Sequence, residues 1–249
     1  MIPNVAIIGG TGLTSLENLR LTSCKDYHTP YGDPSSPIIQ GELGGKPVVF
    51  LARHGTYHTI PPHKINYRAN LWILHHIGIK KIIAVAAVGG IRNDMMPGIL
   101  AFPDQLIDYT WGRHCTFSDG DTTHVTHVDF TEPYCHKLRC WMVQAALLSN
   151  LDIRESCTYA ATQGPRLETA AEIKKLESDG CDIVGMTGMP EAALARELGL
   201  CYATCAVVAN WAAGKAAGEI TMTDIEYRLR ESMTHVRVLL ESVIQLTTN

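Results

Sequence analysis

The sequence predicts an α/β fold, a single domain over residues 1–249 built on a twisted, mostly parallel or mixed sheet surrounded by helices. Three observations carry this expectation. Short apolar runs of strand composition alternate with segments of helical spacing, the order expected when helices cross between parallel strands. With 249 residues, 46% hydrophobic and 18% charged, the chain can bury a large core. Several of the predicted strands also run into glycine turns bearing a polar residue, and in such sheets ligands bind beyond the carboxyl ends of the strands.

Residues 5–8 form the first predicted strand, ending in Gly9-Gly10-Thr11-Gly12; residues 47–52 form the second, ending in Arg53-His54-Gly55. Residues 66–77 have helical spacing through Leu71, Leu74 and Ile77, and residues 81–88 read as a strand closed by Gly89-Gly90. Residues 159–162 run into Gly164-Pro165, followed by a helix over about 169–176. In DIVGMTGMPEAALAREL, residues 182–186 read as a short buried strand. Gly185, Gly188 and Pro190 then supply the turn, and residues 191–198 have helix-former composition. Residues 202–209 are a further strand. Residues 223–246 close the chain as a helix with Ile225, Leu229, Met233, Val236, Leu240 and Val243 on one stripe. The longest irregular stretch, 104–133, is rich in Thr, His and Asp, and loops of that length tend to be functional or interfacial.

A net charge of -4 gives no basic field, which argues against nucleic acid and anionic membrane as partners, so any anion must be bound locally. No apolar run approaches the roughly 20 residues of a membrane span, and a cytoplasmic protein is expected. Eight cysteines without a C-x-x-C pair are expected to be reduced, mostly buried thiols. His114, His124 and His127 invite a zinc reading, but no H-E-x-x-H or carboxylate-anchored pattern accompanies them, and no metal is expected.

Thr11, Arg53, His54, Gly89, Glu168, Thr187 and Asn210 all follow predicted strands. Hydroxyls, a guanidinium and an imidazole suit an oxyanion such as phosphate, whereas Glu168 and Asn210 offer acceptors and an amide that suit a heterocycle with ring N–H groups. Each also has a plainer reading. Arg53 fits a surface ion pair, His54 a satisfied half-buried histidine, Thr187 a helix cap, and His58 and His63 ordinary loop positions. The first glycine turn lacks G-x-G-x-x-G spacing, with Leu16-Glu17 near the place of the third glycine, which argues against a nicotinamide cofactor.

Together IIGGTGL, ARHG with PPHKINYRAN, QGPRLETAAE and VGMTGMPEAALARE resemble the trimeric purine nucleoside phosphorylase and methylthioadenosine phosphorylase family, from Val5 to the last helix. The resemblance implies the nucleoside phosphorylase fold, a homotrimer, neither metal nor cofactor, and attack of the co-substrate phosphate on C1' of a purine nucleoside. By motif, Thr11, Arg53, His54 and Thr187 correspond to phosphate contacts, and Met186 to a ribose contact. Ala86 stands where methylthioadenosine phosphorylases have a threonine that meets phosphate, leaving the backbone N–H of Ala87 to replace it. Leu167 stands where the family has a phenylalanine at the base. The same resemblance puts Val88, Gly89 and Ala212 in the substrate pocket, and matches His127 to a residue lent to a neighbouring subunit's 5' pocket.

The ARHG segment and His58 resemble the methylthioadenosine branch, whereas Glu168 and Asn210 resemble the 6-oxopurine branch. A carboxylate accepts from the N1–H of hypoxanthine but faces a bare acceptor on adenine, and Asn210 can serve the O6 and N7 edge of the leaving base, so catalysis is assigned to Asn210 with His54. The 6-oxopurine enzymes bind the 5'-hydroxyl with a histidine about fourteen residues past the asparagine. Here EITMTDIEYRL offers Met222 and Ile225 instead, implying an apolar 5' group. The expected substrate is therefore 5'-methylthioinosine, in purine salvage. Inosine/guanosine phosphorolysis and methylthioadenosine phosphorolysis are the alternatives within the class, and a hydrolytic nucleosidase or a nucleotide-binding module those outside it.

Overall fold

A computed structural model describes residues 3–11, 13, 19–118 and 126–247; Gly12, Leu16-Glu17 and His124 lie outside the described residues. Its strands are β1 (Val5–Gly9), β2 (Arg20–Lys25), β3 (Ile38–Leu43), β4 (Lys46–Ala52), β5 (Lys81–Gly90), β6 (Leu100–Ala101), β7 (Gln105–Asp108), β8 (Ile153–Arg154), β9 (Thr158–Ala161), β10 (Ile183–Gly185) and β11 (Cys201–Trp211). The helices are α1 (Tyr67–His76), α2 (His136–Leu148), α3 (Ala170–Ser178), α4 (Gly188–Glu197) and α5 (Met222–Thr247). All strands join one mixed sheet. Pairing is parallel for β1 with β4 and β5, β5 with β11, β9 with β7 and β10, and β6 with β8. It is antiparallel for β2–β3, β3–β4, β5–β10 and β6–β11.

Alternation along the central strands explains why they read as continuous apolar runs: both faces of the sheet are covered. Ala6, Ile8, Val49, Leu51, Ile82 and Ala84 pack with Leu74 of α1 and Leu194 of α4. Their neighbours Val5, Ile7, Val48, Phe50, Ile83 and Val85 pack on the other side with Met142 of α2 and Leu240 of α5. The six residues of the expected α5 stripe are all buried. Local signals set the helix starts: the Asn66 side chain accepts from the Ala69 N–H at α1, and Thr169 with Glu172 forms a reciprocal capping box at α3.

Several elements depart from the sequence reading. The β2–β3 meander and α2 were not anticipated: β2 is largely exposed, and α2 mixes buried Leu138, Met142 and Ala145 with exposed Leu147 and Leu148, which blurs its apolar stripe. Strands β5 and β11 extend two residues beyond their expected ends, so Gly89 and Asn210 lie within paired strand rather than past it. The thiol expectation is also corrected. Cys135 and Cys201, 66 residues apart, form a disulfide between the start of α2 and the start of β11, with Cα atoms 5.2 Å apart. Such a bridge arises from tertiary proximity and leaves no local spacing to read. Cys157, Cys181 and Cys205 are buried free thiols, whereas Cys24, Cys115 and Cys140 are exposed. Among the described residues, no helix is long and apolar enough to cross a membrane.

One topological feature positions the site. β11 runs along one edge of β5 from Lys81 to Gly90, while the other edge is shared: β1 pairs with residues 81–84, and β10, antiparallel, with Gly89 and Gly90. The sheet therefore forks, and residues 85–88 of β5 have no strand on that edge among the described residues. Gly10, just past β1, closes on this gap so tightly that a Cβ there would lie 2.5 Å from the Val85 carbonyl oxygen.

Candidate active site

A cavity of about 360 Å³ opens at the fork. Thr11, Arg53, His54, Ala87, Val88, Gly89 and Thr187 line it, as do Leu167, Glu168, Met186, Asn210, Ala212, Met222 and Ile225. The fold thus brings together every site residue expected from the sequence except His127, which is exposed and does not line the cavity of its own chain.

Arg53 follows β4 and is 1% exposed, yet its plainest reading had been a surface ion pair. Its partner is instead the fully buried Glu191 of α4: Nε donates to Oε2 at 2.6 Å and Nη2 to Oε1 at 2.9 Å. Nη1 donates to the Val85 carbonyl at 2.9 Å, satisfying the strand edge left bare by the fork. Tyr202 donates to the same Glu191 Oε1 at 2.8 Å. Burial alone would depress the Arg53 pKa, but Glu191 more than offsets this and holds the guanidinium charged. Three of its five N–H groups are committed to these acceptors, leaving one on each terminal nitrogen. Because hydrogen-bonding direction alternates along an extended strand, the Ala87 N–H faces the same edge as the Val85 carbonyl.

His54 donates from Nδ1 to the Ile60 carbonyl at 2.8 Å, since a carbonyl can only accept. The neutral ring therefore presents Nε2 as an acceptor. Burial and the neighbouring Arg53 charge push its pKa down to about 4. His58, with φ of 55°, lies against it at 4.6 Å between ring centroids and lines the cavity, so it is more than the loop residue its spacing suggested. Thr187 occupies the N-cap position of α4 but makes no side-chain capping bond, which removes the plain capping explanation.

At the other side of the fork, strand register sets Asn210 against Gly89, just past a bulge, with Val184 against Gly89 on the opposite edge. Asn210 Nδ2 donates to the Trp211 carbonyl at 2.7 Å, leaving its side-chain oxygen and second amide hydrogen uncommitted. Glu168 reaches the cavity from the loop after β9, its Oε1 accepting from the Thr162 hydroxyl at 2.6 Å. The segment entering α5 contributes Ile220, Met222 and Ile225, all apolar, to the lining. Among the described residues no group of three or more His, Cys, Asp or Glu is placed to hold a metal.

The sequence reading missed Glu191 and Thr162. A carboxylate inside the apolar run GMPEAALA was the available signal for Glu191, because unpaired charge does not survive there. Thr162 stands at a strand end like the other polar residues, but nothing local showed the loop after it folding back onto its hydroxyl.

A sequence profile of the phosphorylase superfamily matches residues 4–245. A protein of Pseudomonas syringae pv. tomato named probable S-methyl-5'-thioinosine phosphorylase is 53% identical over 239 residues, 96% of this chain and 97% of that one. The 6-oxopurine nucleoside phosphorylase of Pyrococcus furiosus is 45% identical over 250 residues, 97% and 92% of the two chains. Among solved structures, methylthioadenosine phosphorylase from Schistosoma mansoni in complex with adenine superposes with a TM-score of 0.94 at 32% identity, covering 98% of this chain and 91% of that one.

Two outcomes are expected from this geometry. Glu191→Gln should destabilise the fold by about 3–5 kcal/mol in urea unfolding, because it leaves the buried Arg53 charge uncompensated; a change under about 0.5 kcal/mol would show that the pair is no support. For His54, the folded pKa of about 4 lies below the ordinary 6.5, so between these values the unfolded chain holds a proton that the folded one does not. Stability should fall by roughly 3 kcal/mol as pH drops through that window. His54→Gln should flatten the slope, and an unchanged slope would place its origin elsewhere. On the match over residues 4–245 and these relatives, the chain belongs to the phosphorylase superfamily.

Proposed function

We propose that this chain catalyses the phosphate-dependent cleavage of S-methyl-5'-thioinosine to hypoxanthine and 5-methylthioribose 1-phosphate. One observation carries the reading: a single cavity combines an acceptor-rich base end, Glu168 and Asn210, with an apolar sugar end, Ile220, Met222 and Ile225. The 53% identity to a protein named for this activity supports it.

In this mechanism phosphate lies in the fork, held by the free guanidinium hydrogens of Arg53, the hydroxyls of Thr11 and Thr187, and the Ala87 N–H. The neutral Nε2 of His54 accepts from a protonated phosphate oxygen. As the bond from C1' to N9 breaks, its electron pair leaves with the purine and a phosphate oxygen bonds to C1'. The intervening sugar has oxocarbenium character, which the adjacent anion stabilises. Asn210 donates to N7 as charge accumulates on the leaving base, and Glu168 accepts from N1–H. Met186 lies at the ribose, and Leu167 supplies an aliphatic contact at the base. No covalent nucleophile, metal or cofactor takes part. Purine salvage and a cytoplasmic location belong to the same reading, the latter against the Cys135–Cys201 bridge, which oxidising compartments favour; fractionation of the source cells tests it.

The deciding measurement compares kcat/KM for methylthioinosine, methylthioadenosine and inosine on one preparation, with and without phosphate. Methylthioinosine should rank first, with turnover requiring phosphate. Phosphate-independent base release would instead indicate a nucleosidase, and no base release a binding module. Joint replacement Glu168→Ser with Asn210→Asp should move preference toward methylthioadenosine at least several-fold, since each mispaired polar group costs on the order of 1–3 kcal/mol. A wild type that already prefers methylthioadenosine would sink the assignment.

The active form is proposed to be a homotrimer in which His127 completes a neighbouring 5' pocket, consistent with its exposure and its place outside its own cavity. Sedimentation should give three times the chain mass of 27.3 kDa. His127→Ala should raise the nucleoside KM and leave that of phosphate unchanged. A fully active monomer would refute the assembly.

A further inference from the structure

Glu168 sits in a loop seven positions beyond the last residue of β9, where neither helix nor sheet fixes its side chain. Something else must aim it. Its Oε1 accepts from Thr162 Oγ1 at 2.6 Å, while the next acceptor of that hydroxyl, the Gly185 carbonyl, lies at 3.3 Å. A hydroxyl has one proton, and the shorter, charge-assisted contact takes it. Thr162 does not line the main cavity. It borders a second one behind it, whose wall Glu168 shares, so the threonine reaches the carboxylate from the rear.

Thr162 is itself firmly held. Its N–H donates to the Gly185 carbonyl at 2.8 Å, continuing the β9–β10 ladder, and its carbonyl accepts from Arg113 Nη2 at 3.3 Å. The same guanidinium donates to the carbonyls of Gln163, Met186 and Met189 at 2.8, 2.9 and 2.6 Å, tying the loop base to the segment between β10 and α4. The hydroxyl thus issues from a fixed backbone and points at one oxygen of a loop carboxylate.

We infer that Thr162 is a positioning residue for base specificity: its hydroxyl holds Oε1 of Glu168 from behind and leaves Oε2 to accept the purine N1–H. The inference rests on the 6-oxopurine reading above. A carboxylate with one oxygen already receiving a hydrogen bond is kept as an acceptor and cannot swing away from the base. Without the hydroxyl, Glu168 loses its direction, so discrimination between a base with N1–H and one with bare N1 should fall.

The test uses Thr162→Val, Thr162→Ala and Thr162→Ser, each alone and with Glu168→Gln, in the full-length enzyme. Thr162→Val should raise the methylthioinosine KM on the order of tenfold, the scale of a lost hydrogen bond to a charged group. The ratio of kcat/KM for methylthioinosine over methylthioadenosine should fall with it, while the phosphate KM holds. Thr162→Ser should restore both values, and Thr162→Val should add little once Glu168 is Gln. Thr162→Ala removes the hydroxyl without adding bulk, and serves if Val does not fold. A wild-type ratio in a folded Val or Ala variant overturns the role of Thr162 alone, as does full additivity with Glu168→Gln. A wild type that prefers methylthioadenosine overturns the substrate reading instead, and the Thr162 inference with it.

Discussion

The buried pair of Arg53 and Glu191 is the interaction on which the rest of the site depends. A guanidinium 1% exposed is tolerable only with a countercharge, and Glu191 supplies one through two hydrogen bonds at 2.6 and 2.9 Å. The pair also ties together distant parts of the chain. Arg53 leaves β4, Glu191 belongs to α4, Tyr202 of β11 donates to the carboxylate, and the Val85 carbonyl of β5 takes the remaining terminal nitrogen. A site built this way has its cation fixed in advance, so the proposed phosphate would bind with little reorganisation.

The fork in the sheet is the reason such a cation is needed. Where β1 leaves β5 and β10 joins it, strand-edge groups would be buried without partners. Arg53 answers the carbonyl at Val85, while the N–H at Ala87 faces the same gap. The same divergence opens the cavity. It places glycine-rich turns at its mouth, where Gly10 can approach the backbone because it lacks a Cβ. The fork therefore gives one cause for both the topology and the proposed anion site, and polar residues at the strand exits carry the signal of both.

What was legible in the sequence follows from this. Thr11, Arg53, His54 and Thr187 stand at ends of apolar runs, where periodicity stops and polarity begins, and the fold gathers them in one cavity. Glu191 carried a local signal, a carboxylate inside an apolar run, but its partner lies 138 residues away and could not be read from that segment. Thr162 sits at a strand end like the others, yet its role appears only when the following loop folds back. The Cys135–Cys201 bridge spans 66 residues and overturned the expectation of reduced thiols. Signals carried by one segment were read, whereas pairings between segments were not.

In the proposed binding mode, the two ends of the cavity differ in how strongly they can choose. At the base, Glu168 and Asn210 are polar groups that the wrong purine would leave mispaired, and such errors cost on the order of 1–3 kcal/mol each. At the sugar, Ile220, Met222 and Ile225 form an apolar wall, and an apolar wall rejects an added hydroxyl only weakly. Selection against adenine should therefore be steeper than selection against an unmodified 5' end. On this reading the base end decides which purine is cleaved, whereas the apolar wall entering α5 biases the choice at the sugar without fixing it.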